Sequence, residues 1–190
     1  MTVLDYLMIY SLVAIWGLLL VNVILTVAGY SYYVETERKG VPELKRYPKV
    51  SIMVPAHNEG VVIAQTVRSL LNFTYPKEQY EIIVINDNSS DNSAELLAAI
   101  QSENPGRNLT IVHTDSETGG KGKSNALNIG YQHCTGEYIV IYDADNTPDE
   151  NALTYLVAEI ENDDTLGAVI GKFRTRNRAV NMLTRFINIE

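Results

Sequence analysis

The hydrophobic pattern divides the chain into two unlike parts. From Tyr6 to Val27 the only strongly polar side chain is Asn22. As a helix this run is about 33 Å long, enough to cross a hydrocarbon core of about 30 Å. A cleaved signal peptide fits poorly. No basic residue precedes the run, Asp5 is the only charge before it, and the apolar stretch is too long. The expectation is a retained transmembrane helix within residues 1–29. Arg38, Lys39, Lys45, Arg46 and Lys49 all follow it and no Lys or Arg precedes it. That asymmetry puts the N-terminus outside and the remainder in the cytosol, with Tyr30, Tyr32 and Tyr33 in the interfacial aromatic belt.

Residues 30–49 carry charge together with Pro42 and Pro48, and read as a juxtamembrane linker. Beyond Lys49 short apolar runs alternate with helix-periodic segments. Strands are expected at Val50–Val54, Tyr80–Ile85, Leu109–His113 and Tyr138–Tyr142, with a fifth at Gly167–Phe173. Helices are expected at Gly60–Leu71, Ser93–Ile100 (capped near Asp91), Ser124–His133 and Ala152–Ile160. Such alternation predicts an α/β fold, a mostly parallel sheet with helices on both faces. The last stretch, Asn177–Glu190, is amphipathic through Val180, Leu183, Phe186 and Ile187, and reads as an element cut short.

The 190 residues suit one domain with a real core beside the apolar helix. A formal net charge of −8 argues against nucleic acid as a partner. Cys134 is the only cysteine, so no internal disulfide and no cysteine zinc site can form, and a core thiol is expected. His57, His113 and His133 lack metal-ligand spacing, and no Gly-x-Ser-x-Gly elbow is present.

The candidate chemistry lies at strand ends, where open α/β sheets bind ligands. Asp143-Ala144-Asp145 closes the Tyr138–Tyr142 run and offers two carboxylates to a hard cation, Mg²⁺ or Mn²⁺, shared with substrate phosphates. Pro55-Ala56-His57-Asn58-Glu59 follows the first strand, where Asn58 would otherwise cap a helix. Asn86-Asp87-Asn88-Ser89-Ser90-Asp91 follows the second and offers short polar acceptors; Asp91 is the better explained as a helix cap. Gly119-Gly120-Lys121-Gly122-Lys123-Ser124 precedes a helix and suits phosphate. A P-loop NTPase is a further alternative for that run, although Glu117 stands where its first glycine belongs. Lys172, Arg174, Arg176 and Arg178 would share one face of a strand, most simply a charged edge.

Taken together, Val50–Glu59, Ile85–Asp91, Gly120–Asn128 and Ile141–Asp145 resemble the family 2 glycosyltransferases with a GT-A nucleotide-sugar fold. Gly171–Arg174, Asn177-Arg178 and Leu183-Thr184-Arg185 look like the membrane-embedded processive branch, which makes cellulose, hyaluronan and poly-N-acetylglucosamine. The resemblance implies that residues 50–190 form a cytosolic donor-binding domain at the plasma membrane. Pro55, Ala56 and Glu59 would line a uridine pocket and Asp87 would contact the uracil. Lys123 would lie near the donor diphosphate. Asp143 would touch ribose or metal, and Asp145 would coordinate Mg²⁺ or Mn²⁺. Asn86 stands where the family often has the first Asp of a pair. The implied partners are a UDP-sugar, a polysaccharide or lipid-linked acceptor, the membrane and an accessory membrane subunit. The family's general base and the Gln-x-x-Arg-Trp motif of the processive branch do not occur before Glu190. The base is expected beyond that residue, and the chain reads as the donor-binding half of a longer inverting enzyme. A single-sugar transferase and a non-catalytic nucleotide-sugar-binding fragment share the same donor half.

Overall fold

The computed structural model describes residues 2–38 and 40–171. The chain falls into two compact units that divide after Pro42. The first is one long helix, α1, Val3–Arg38. Among the described residues it is the one helix long and apolar enough to cross a membrane. Its polar side chains turn inward on their own backbone: Ser11, Asn22 and Thr26 donate to the carbonyls of Leu7, Leu18 and Asn22. At 36 residues it is about 54 Å long and runs through the start of the expected linker. Residues 30–38 hold no proline, so nothing in the sequence stops the helix before Gly40.

Among the described residues the second unit holds a parallel four-stranded sheet in the order β3-β2-β1-β4. The strands are β1 Val50–Ala56, β2 Tyr80–Asp87, β3 Leu109–Thr114 and β4 Tyr138–Ile141. Between and after them lie α2 Ile63–Leu71, α3 Ser93–Glu103, α4 Lys123–Tyr131 and α5 Ala152–Asn162. Alternate residues of a strand face opposite sides, and both sides of the central strands are buried. Ile52, Val54, Ile82 and Val84 pack with Ile63, Val67 and Leu70 of α2, Leu97 of α3 and Leu153 of α5. Met53, Ile83 and Ile85 face the other way, onto Ala126 of α4 and the partly buried Cys134. Cys134 is therefore a packing thiol, and burial pushes its pKa up.

A polar knot at the opposite end of the sheet sets where β4 begins. The Ser51 hydroxyl is fully buried, donates to Glu81 Oε1 at 2.6 Å, and accepts from the Thr135 and Gly136 amides at 3.1 and 2.8 Å. A Cβ on Gly136 would lie 2.5 Å from the Ser51 backbone nitrogen. The knot brings β4 against β1 in the register Val50↔Tyr138 to Met53↔Ile141.

One part of the expected architecture differs. Residues 167–171 of the expected fifth strand are not extended into any ladder, and Ile170 is 88% exposed. The run Ala168-Val169-Ile170 has strand composition, but it finds no neighbour to pair with among the described residues. Residues 172 and 173, the row of cations from Lys172 to Arg178, and Asn177–Glu190 lie outside the described residues. The later part of the expected linker is tied to the α/β unit. Tyr47 packs edge-on to Tyr75 at 5.3 Å, and the Tyr75 hydroxyl donates to the Pro48 carbonyl at 2.7 Å. Arg46 donates both to Glu137 and to Glu161.

Candidate functional site

All four strands run parallel, so their C-terminal ends open on one edge of the sheet. There the loops after β1, β2 and β4 and the start of α4 surround a cleft of about 450 Å³. Pro55, Ala56, Glu59, Asp87, Lys123, Asp143 and Asp145, seven residues from four separate segments of the sequence, all line it. His57, Gly120, Gly122, Ala126 and Ala144 line it as well.

The loops after β1 and β2 are stitched together. The Asn58 amide N–H donates to Ser89 Oγ at 3.0 Å, and Asn58 Oδ1 accepts from the Ser90 amide at 2.8 Å. Asp91 Oδ2 accepts from the Gly60 amide at 2.8 Å while its Oδ1 accepts from the Ser93 amide at 3.0 Å. His57 Nδ1 lies 2.6 Å from the Asp87 carbonyl, an acceptor, so Nδ1 carries the proton; Nε2 then accepts from Asn58 Nδ2 at 3.1 Å. Asn58 and Asn88 both have positive φ, 55° and 51°, which asparagine tolerates better than most residues. Asn58 is thus a bridge between loops and not the cap of α2, which begins five residues later at Ile63.

Asp87 is 5% exposed and held at two points. Its Oδ1 accepts from Thr114 Oγ1 at 2.8 Å and from the Gly120 amide at 2.9 Å. The loop from Asp115 comes this close because Gly119 has no side chain. A Cβ there would lie 1.9 Å from Thr114 Oγ1 and 2.4 Å from Asp87 Oδ1. Asp115 braces the loop from the other end by accepting from the Glu117 and Thr118 amides, which holds its carboxyl below the usual range. Neighbouring Asn86 is buried, with Nδ2 3.2 Å from His113 Nδ1, and does not line the cleft.

The Asp143–Asp145 segment is fastened through its middle residue. The Ala144 side chain is buried in the core, and its carbonyl accepts from Thr66 Oγ1 of α2 at 2.6 Å. The residue before it, Tyr142, packs on Phe73, and burial pushes its hydroxyl to about 12. With Ala144 held inward, the flanking carboxylates turn outward; the Asp143 side chain is 50% exposed. Lys123, the first residue of α4, sets its ammonium on Asp143 Oδ1. Among the described residues no three His, Cys, Asp or Glu side chains cluster as a ready metal cage. Two carboxylates open to the cleft suit a hard cation that completes its shell with substrate oxygens.

A nucleotide-triphosphatase arrangement does not arise. β3, before the glycine-rich loop, and β4, before Asp143, lie at opposite edges of the sheet. The Gly120 amide is already engaged by Asp87. Thr66 and Thr114, which hold Ala144 and Asp87 in place, are residues that sequence reasoning missed. Thr66 carried one signal, a polar side chain within the apolar stripe Ile63, Val67, Leu70; Thr114 carried none, and Gly119 was picked out for phosphate and not for its approach to Thr114 and Asp87.

Residues 51–187 match the sequence pattern of glycosyl transferase family 2, and the chain belongs to that family. It is 46% identical over 183 residues to a probable glycosyltransferase, YdaM, of Bacillus subtilis, covering 95% of this chain and 43% of that protein. It is 35% identical over 130 residues to the poly-beta-1,6-N-acetyl-D-glucosamine synthase of Staphylococcus epidermidis, covering 68% and 30%. Among solved structures it is similar to a mannosyltransferase from Pyrobaculum calidifontis in complex with GDP-Man and Mn²⁺, with TM-score 0.62, 28% identity, and coverage of 82% and 47%. It also shares its fold with S. aureus TarS in complex with UDP-GlcNAc, with TM-score 0.52, 22% identity, and coverage of 68% and 38%. The chain spans less than half the length of each of these proteins.

Proposed function

We propose that this chain carries the donor-binding half of an inverting glycosyltransferase that moves a sugar from a UDP-sugar to a growing polysaccharide at the cytosolic face of the plasma membrane. The observation that carries this reading is the convergence of Asp87, Lys123, Asp143 and Asp145 on one cleft at the C-terminal edge of a parallel sheet. The named relatives and the apolar helix α1 support it.

In this reading Pro55, Ala56 and Glu59 form the wall for the nucleoside. Asp87, fixed by Thr114 and Gly120, accepts from the base N–H. Lys123 faces the diphosphate, and Asp145 with Asp143 would hold Mg²⁺ or Mn²⁺. Bound there, the cation supplies neutralisation of the charge that develops on the departing diphosphate. The acceptor hydroxyl oxygen forms a bond to the anomeric carbon as the bond from that carbon to the diphosphate oxygen breaks, and UDP leaves with the electron pair. The hydroxyl proton passes to a general base that is not assigned to any described residue.

The test is calorimetric titration of UDP into the full chain with Mn²⁺ and with EDTA, beside Asp145→Ala. The expected result is UDP binding that needs Mn²⁺ and is lost in the variant. GDP and ATP titrated in parallel check the nucleotide. Undiminished binding in EDTA, or preference for ATP, would refute the reading.

A further inference from the structure

We propose that Lys123 is a displaceable internal counter-ion. It neutralises Asp143 in the free protein and transfers to the donor diphosphate when a divalent cation takes its place on the carboxylate. The proposal rests on the donor-site reading above. The Lys123 ammonium contacts Asp143 Oδ1, joining residues twenty apart in sequence, and both side chains line the cleft. Neither is locked, since they are 55% and 50% exposed. An ion pair this exposed is weak and can be exchanged. Asp145, two residues on, has no such partner among the described residues, which leaves it open for a first cation contact. Among the described residues the lining of the cleft holds Glu59, Asp87, Asp143 and Asp145, with Lys123 as its one cation. A nucleoside diphosphate therefore meets a negative cleft, and the ammonium becomes available to it only after it leaves Asp143. Because Lys123 opens α4, it stands beside the Gly122 backbone, where phosphate can approach closely.

The exchange predicts opposite effects of one substitution. The full chain in detergent is titrated with Mn²⁺ alone, read by the paramagnetic resonance signal of free Mn²⁺, and with UDP in the presence of Mn²⁺. Lys123→Met removes the competitor and should bind Mn²⁺ alone about two- to fivefold tighter. The same variant should bind UDP with Mn²⁺ about tenfold weaker. Lys121→Met removes an equal charge two residues away, where the ammonium instead donates to the Glu117 carbonyl. It should show neither effect, which separates the specific pair from loss of general charge. Lys123→Arg keeps the pair and should keep Mn²⁺ binding weak. If Lys123→Met binds Mn²⁺ no tighter than Lys121→Met while the wild type binds both ligands, the exchange is refuted and the donor site stands. If the wild type binds neither, both fail together.

Discussion

Thr66→Val tests whether the orientation of the Asp143–Asp145 carboxylates is set from beneath. Valine keeps the volume and branching of threonine, so the packing of α2 on the sheet is preserved. What it removes is the hydroxyl that donates to the Ala144 carbonyl at 2.6 Å. Thr66 is 1% exposed and Ala144 is 5% exposed, so water cannot replace the donor freely. A buried acceptor left without its partner costs about 1–3 kcal/mol. At about 2–4 °C per kcal/mol for a chain of this size, melting should fall by about 5 °C. The same loss frees the segment that holds both carboxylates, so Mn²⁺-dependent UDP affinity should fall about three- to tenfold. Thr66→Ser retains the hydroxyl and should recover most of the affinity even if a lost methyl keeps stability low. The measurements are thermal melting by circular dichroism and calorimetric UDP titration with Mn²⁺. Lower melting with unchanged affinity would refute the reasoning, because the hydroxyl would then hold the fold without aiming the site.

Gly119→Ala should weaken UDP binding at least tenfold and cost about 1–3 kcal/mol of stability, since its Cβ would collide with Thr114 Oγ1 and Asp87 Oδ1; calorimetry and urea unfolding read the two effects. Gly136→Ala meets backbone and cannot relax by turning a side chain, so it should cost about 3 kcal/mol or more and lower the soluble yield. Hydrogen bonds from Arg46 hold the Glu137 and Glu161 carboxyls below their ordinary value. Lowered carboxylates stabilise the fold above their unfolded pKa and lose that contribution as pH falls through the folded value. Arg46→Ala should therefore flatten the decline of melting temperature below about pH 4.5 and leave little difference at lower pH, where wild type and variant curves meet.

The sheet and the ring of acidic residues were legible because both depend on local features. Alternating apolar runs such as Ile82–Ile85 need a buried sheet whatever surrounds them, and a parallel sheet puts every strand end on one edge. Asp87, Lys123, Asp143 and Asp145 could thus be grouped without knowing a single distance. What stayed hidden depends on partners far along the chain. Asn58 has the composition of a helix cap, yet its bonds go to Ser89 and Ser90, thirty-one and thirty-two residues on. Thr66 reaches Ala144 across seventy-eight positions. Residues 168–170 have strand composition, but a strand also requires an edge to pair with, and composition does not report edges. The helical continuation from Val27 to Arg38 was obscured by its charges, which weaken an apolar pattern without breaking a helix.

The charge balance of the cleft bears on how the proposed donor diphosphate would be held. A site that binds diphosphate by protein groups alone gathers several cations and backbone amides around the phosphates. Here the described residues of the lining supply one lysine and four carboxylates. At an effective dielectric of about 20, one like-charge pair at 4 Å costs about 4 kcal/mol, more than a single exposed lysine returns. Asp87 is tied by Thr114 and Gly120 and is the carboxylate best placed to face a nucleobase. Asp143, half exposed, and Asp145, exposed, remain, turned outward by the burial of Ala144. Two such groups beside an incoming diphosphate are unfavourable unless a cation joins them to it. The acidity that would repel a nucleotide thus becomes the reason to expect that nucleotide and metal enter as one unit, with affinity for each set largely by the presence of the other.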